Sequence, residues 1–154
     1  MSWAIVKRVD PEYTGEAGYW NLQVSNIPIS VITDANADRM QIIIPIIKAE
    51  ELNADEMERI LQANFDTALD ARYAIARNVL WSTFIHPLPS LSDKEFLSGL
   101  GQAINIVINY GKSYSSGALS FGGEEVQNLL HHGSFLGTRR LRTNLFCLYC
   151  GLCP

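Results

Sequence analysis

Residues 19–25 alternate large apolar side chains (Trp20, Leu22, Val24) with polar ones (Asn21, Gln23, Ser25). A repeat of two is the signature of a strand with one buried face. Asn26 and Pro28 interrupt it, and a second strand is expected over residues 29–33. The run Asp34-Ala35-Asn36-Ala37-Asp38 reads as a turn, because Asp and Asn side chains satisfy nearby backbone groups. A third strand is expected over 39–48, where Pro45 cannot donate to a ladder and so marks an edge or a bulge. At Asn53 the period changes. Asn53 and Glu56 have the spacing of a capping box, and Met57, Ile60, Leu61 and Phe65 follow on one helical face. Residues 71–76 and 79–86 predict a hairpin turning at Arg77-Asn78. In its second arm Val79, Trp81, Thr83 and Ile85 face one way, and Leu80, Ser82, Phe84 and His86 the other. Both sets contain large apolar groups, as in a doubly covered strand. Ser92 and Glu95 open a second helix, whose apolar face (Phe96, Leu97, Leu100, Ala103, Ile104, Val107, Ile108) runs to about Tyr110. Gly99 and Gly101 lie on different sides of it, and either is expected to allow another backbone to approach closely.

These elements predict an α+β domain with the order βββ-α-ββ-α, an antiparallel sheet of about five strands with two helices. It is expected to span residues 19–116. Residues 1–18 have loop composition and little periodicity, and are expected to be weakly ordered. After Gly111 the pattern fades, and residues 117–154 read as a poorly structured tail.

Composition narrows the function classes. Of the 154 residues 47% are hydrophobic and 18% charged, typical of a chain with a substantial core. No apolar run reaches the roughly 18 residues of a membrane helix. The N-terminus has its charges after a short apolar patch, the reverse of a secretory signal, so a cytoplasmic location is expected. The net charge is −4. Residues 1–120 carry nine Lys and Arg against fourteen Asp and Glu. An acidic body lacks the basic face that nucleic acid requires. All three cysteines, Cys147, Cys150 and Cys153, fall within the last eight residues. Thiolates at this spacing could share a metal ion or iron–sulfur cluster. A fourth ligand is missing nearby, so metal is expected to be absent and no cofactor is implied. A metal- or redox-responsive role through this tail is the alternative function.

No catalytic constellation is legible. His86 has no Ser or carboxylate partner at a productive spacing. Asp55, Glu56 and Glu58 suit the start of a helix. Asp34, Asn36 and Asp38 mimic the opening of a calcium loop, but Arg39 and Pro45 occupy the positions where Gly and Glu are required. Gly99-Leu100-Gly101 lies inside a helix, and Gly111-Lys112-Ser113 lacks the upstream glycine of a phosphate loop.

Four strings and their order carry a resemblance. They are Trp20-Asn21-Leu22-Gln23-Val24, Arg39-Met40-Gln41-Ile42-Ile43-Ile44-Pro45, Arg72-Tyr73-Ala74-Ile75-Ala76 and Leu80-Trp81-Ser82-Thr83-Phe84. A proline-bounded loop and a capped helix follow, over residues 88–110. This arrangement resembles the type III secretion chaperone-like fold, which includes the Tir chaperone class and YbjN-type bacterial proteins, and the YbjN-type members most of all. The resemblance covers about residues 20–112. It implies a homodimer that binds a protein client without catalysis. Two features depart from the pattern: the family opens with an amphipathic helix that residues 1–18 do not suggest, and residues after 120 have no family counterpart. Partner-binding candidates are Ile42, Ile44, Trp81, Phe84, Leu100 and Ile104.

Overall fold

The computed structural model describes residues 3–117. The three cysteines lie outside these residues.

Ten elements follow in order. Helix α1 (Trp3–Val9) precedes strands β1 (Thr14–Glu16), β2 (Tyr19–Val24), β3 (Ile27–Asp34) and β4 (Arg39–Lys48). A 3-10 turn (Ala49–Glu51) leads to helix α2 (Ala54–Asp66), strands β5 (Arg72–Ala76) and β6 (Val79–Pro87), and helix α3 (Asp93–Asn109). The sheet has six antiparallel strands in the order β1-β2-β3-β4-β6-β5. Among the described residues there is one strand and one helix more than the sequence pattern predicts. Both additions fall in the first eighteen residues. Ile5 and Val6 of α1 are buried, and α1 packs near β2.

The expected punctuation has direct structural counterparts. Ser25-Asn26 and Arg77-Asn78 both have positive φ at two consecutive residues, as a tight two-residue hairpin turn requires. Asn26 and Pro28 do not interrupt the sheet as expected: the turn ends at Asn26, and β3 already begins at Ile27. Pro45 sits in a central strand, and the register between β4 and β6 shifts between Pro45 and Ile47. The bulge accommodates the missing donor. Both capping boxes are complete. The Asn53 carboxamide accepts from the Glu56 amide, and the Ser92 hydroxyl from the Glu95 amide, with each glutamate returning a bond to its cap residue. Each cap stabilises its helix by about 1 kcal/mol.

Alternation divides the sheet into two faces. Trp20, Leu22, Ile29, Val31, Met40, Ile42, Ile44, Leu80 and Phe84 point to the face carrying the helices and are buried. Against them α3 presents Phe96, Leu100, Ala103 and Ile106, and α2 adds Ile60 and Ala63. Gly99 is the point of closest approach: a methyl group there would overlap the Phe84 ring. Gly101 has open space around it. The buried Ser82 hydroxyl donates to the Ala103 carbonyl at 2.9 Å, so the polar atom in this core is satisfied.

The chain after α3 folds back rather than leaving at once. Tyr114 and Ser116 are buried. The Ser116 hydroxyl accepts from the Leu69 amide at 2.5 Å, while Asn105 and Asn109 of α3 donate to the Ser116 and Ser115 carbonyls.

Candidate protein-binding surface

The opposite face of the sheet carries no element of the described chain. Its residues are the other half of the same alternation: Tyr19 and Asn21, Ser30 and Ile32, Gln41 and Ile43, Trp81, Thr83 and Ile85, and Ala74 and Ala76. The face has two characters. Over β2 and the Ser30 position of β3 it is polar, with Ile32 of β3 belonging to the apolar half: the Tyr19 and Ser30 hydroxyls lie 3.3 Å apart, and Ser30 donates to Asn21 at 3.0 Å. Over β4, β6 and β5 it is mostly apolar, with Gln41 donating to Thr83 at 2.9 Å.

That apolar half contains an open depression of about 280 Å³. Ile32, Ile43, Ala74, Ala76 and Trp81 form its apolar lining, and Gln41, Thr83 and Arg77 its polar rim. Pairing explains the shape. Trp81 lies directly across from Ala74, whose methyl leaves space beside the indole. The indole Nε1–H donates to the Ala76 carbonyl at 2.9 Å, fixing the ring toward the hairpin turn.

The six candidate residues separate by parity. Ile42, Ile44, Phe84 and Leu100 are in the helix-covered core. Ile104 is half-buried on α3. Trp81 alone of the six is on the open face, so the structure does not bring them together into one surface. Ile32, Ile43, Ala74 and Ala76 belong beside Trp81, and the alternation in β3, β4 and β5 already carried that signal. A second exposed apolar stripe runs along α2, where Leu61 is 63% and Phe65 69% exposed, one helical turn apart.

The two sheet edges are each covered in part by a side chain. After the two-residue turn, Tyr73 and Ile75 direct their backbone groups away from β6. The Asn64 carboxamide of α2 takes both groups of Tyr73, accepting from its amide at 2.8 Å and donating to its carbonyl at 3.0 Å. At the other edge the Asp10 carboxylate accepts from the Gln23 amide at 2.8 Å and the Glu12 amide at 2.9 Å.

The perturbed ionisable groups have structural causes. Burial pushes the Tyr73 phenol well above its ordinary range, with Tyr114 and Tyr110 adding to it, and the hydroxyl donates to the Ile106 carbonyl at 3.0 Å. The Ser92 amide and hydroxyl hold Glu95 below the usual carboxylate range as part of the helix cap. His86 donates from Nδ1 to the Pro87 carbonyl at 2.8 Å, and its Nε2 lies 4.0 Å from Glu95. None of these groups lines the depression. Among the described residues no group of three or more His, Cys, Asp or Glu could hold a metal ion, and no helix is long and apolar enough to cross a membrane.

Comparison with solved structures shows the fold. The chain matches one in the HopA1–SchA chaperone–effector complex with a TM-score of 0.52 at 10% identity, over 62% of this chain and 77% of that one. It matches one in the complex of the Yersinia pestis type III secretion chaperone SycH with a stable fragment of YscM2, with a TM-score of 0.51 at 13% identity, over 70% of this chain and 97% of that one. The fold is therefore type III secretion chaperone-like, an α+β architecture. No protein-family model matches the sequence, and no curated protein matches it.

Proposed function

We propose that this protein binds another protein without catalysis, as a chaperone-like or adaptor component. The observation that carries the reading is an apolar sheet face that no element of the described residues covers, on a fold shared with a chain of a chaperone–effector complex and a chain of a type III secretion chaperone complex. An exposed apolar face of this kind marks an interaction surface, and its depression offers one place to seat a side chain. The finer reading is a YbjN-type bacterial protein acting in the cytoplasm as a homodimer. Two copies meet through the outer stripe of α2, supported by the exposure of Leu61 and Phe65. That part is tested by sedimentation: Leu61→Asp with Phe65→Asp gives a monomer where the parent chain is a dimer.

Photocrosslinking tests the binding role. The full chain carries a photoreactive residue at position 81, 61 or 75, one at a time, and is irradiated in a lysate of its own host. A single protein crosslinked from position 81 supports the reading. Failure of all three positions to capture any protein overturns it.

A further inference from the structure

The charge around the depression departs from that of the body. Residues 1–120 hold fourteen acidic side chains against nine basic ones. Yet β4, β5 and β6 contain no Asp or Glu at all, while they carry Arg39, Lys48 and Arg72, and the β5–β6 turn adds Arg77. The acids on the open face of the strands are Glu16 and Asp34, and Glu50 follows β4 beside the β5–β6 turn, where the Ala49 amide donates to the Asn78 carbonyl at 2.9 Å. Glu16 is on β1, at the far edge of the sheet. Asp34 pairs with Arg39, at the opposite end of β4 from Lys48. Asp34 therefore stands at the Ile32–Gln41 end of the depression, two residues along from that lining pair, while the length of a ten-residue strand, roughly 30 Å, separates it from the Arg77 end, about three Debye lengths at physiological salt.

Most of these cations are engaged. Lys48 pairs with Glu50 at 3.6 Å, Arg39 donates to the Asp38 carbonyl, and the Arg72 guanidinium donates to the Leu69 and Ala71 carbonyls. Arg77 lines the depression and forms no ion pair among the described residues. At about 280 Å³ the depression falls just below the roughly 300–1,000 Å³ of small-molecule sites. It is open and suits one large side chain rather than a whole ligand. An apolar seat with an unpaired guanidinium on its rim matches an apolar side chain with a carboxylate a residue or two away.

We infer that the open face takes an extended acidic segment of the partner protein, with one large apolar side chain in the depression beside Trp81 and a carboxylate on Arg77. This rests on the protein-binding reading and names the partner chemistry at the same site. Acidic residues on the segment would disfavour the body's own acidic surfaces and favour this face, giving orientation as well as affinity.

The test is titration of the full chain with synthetic twelve-residue peptides, followed by amide and indole N–H resonances. The probe peptide has four Asp or Glu around a single Leu in a Ser/Gly background. The controls replace the acids by Lys, or the Leu by Ser. The expected result is movement of the Trp81 indole, Ala74 and Ala76 signals with the acidic Leu peptide. Losing the Leu weakens binding about tenfold, and raising salt weakens it further. Arg77→Glu is expected to cost about fivefold, and Ala74→Leu, which fills the seat, about tenfold. Equal binding of the Lys peptide, or signals that move on α2 instead, overturns the inference. So does conversion of a dimer to a monomer by Ala74→Leu, which would make this face an interface between copies. If crosslinking captures a partner and that capture survives both Arg77→Glu and Ala74→Leu, this inference fails while the binding reading stands. If no position captures a protein, the binding reading itself fails.

Discussion

The two faces of this sheet are built from the same strands and the same alternation, yet they do opposite work. On the covered face the large side chains of β2, β3, β4 and β6 pack into the core against the helices, with Ile75 of the edge strand β5 left 46% exposed, and the contact is close enough that Gly99 has no room for a methyl beside Phe84. On the open face Ile32, Ile43 and Trp81 are half-buried by their own neighbours and stop there. Side chains on the first face hold the fold together. Those on the second contribute little to it and are free to change with a partner. Substitutions should therefore separate into two classes by residue parity alone.

The largest expected effect is Phe84→Ala. It leaves a cavity under α3 and should cost about 3–5 kcal/mol, read from the urea midpoint. Gly99→Ala comes next. Ala has the better helix propensity by roughly 1 kcal/mol, but overlap with the Phe84 ring costs about 1–3 kcal/mol or more, so net destabilisation is expected. Phe84→Leu should recover part of that loss in the double variant, and simple additivity would show that the two sites do not touch.

Tyr73 gives a pH-dependent contrast. Its phenol is raised in the folded state, so its contribution is fully present below pH 10 and is lost as pH rises beyond that. Thermal scans of the parent chain should show an alkaline decline that is smaller in Tyr73→Phe. At neutral pH the same variant should lose about 1 kcal/mol with its hydrogen bond to Ile106. The smallest effect belongs to the open face. Ile85, which is 55% exposed, should tolerate Thr within about 0.5 kcal/mol. A large stability loss there would erase the distinction between the faces.

The same contrast explains what the sequence reveals. Alternation in β6 separates Trp81 from Phe84 without any structure. Both capping boxes are local, four-residue signals, and both form. The bulge at Pro45 follows from one missing donor. What escapes is long-range. Helix α1 has seven residues, too few to establish a period, and its Ile5 and Val6 are apolar to a purpose only because β2 lies near. Strand β1 has three residues, all exposed, with Gly15 at φ +112° between its two polar neighbours, so no alternation exists to be found. Both lie within the stretch whose composition suggests loop. The burial of Phe84 depends on how closely α3 descends at Gly99, fifteen residues later. Alternation says which face Phe84 occupies, but not that a helix of the same chain covers it.

The side chains of Asp10 and Asn64 have a consequence for behaviour at high concentration. Fibril growth needs a run of free amides and carbonyls on which an incoming strand can template itself. At one border Asn64 occupies both groups of Tyr73, leaving Ile75 as the outward-directed residue before the hairpin turn. At the other, β1 is only three residues long and Asp10 takes the next amide beyond it. Neither border offers a stranger a continuous ladder. Two polar side chains remote from the open face are thus expected to slow strand-on-strand growth. Asn64→Leu would test this by raising the rate of amyloid-dye-positive aggregation more than its loss of stability accounts for.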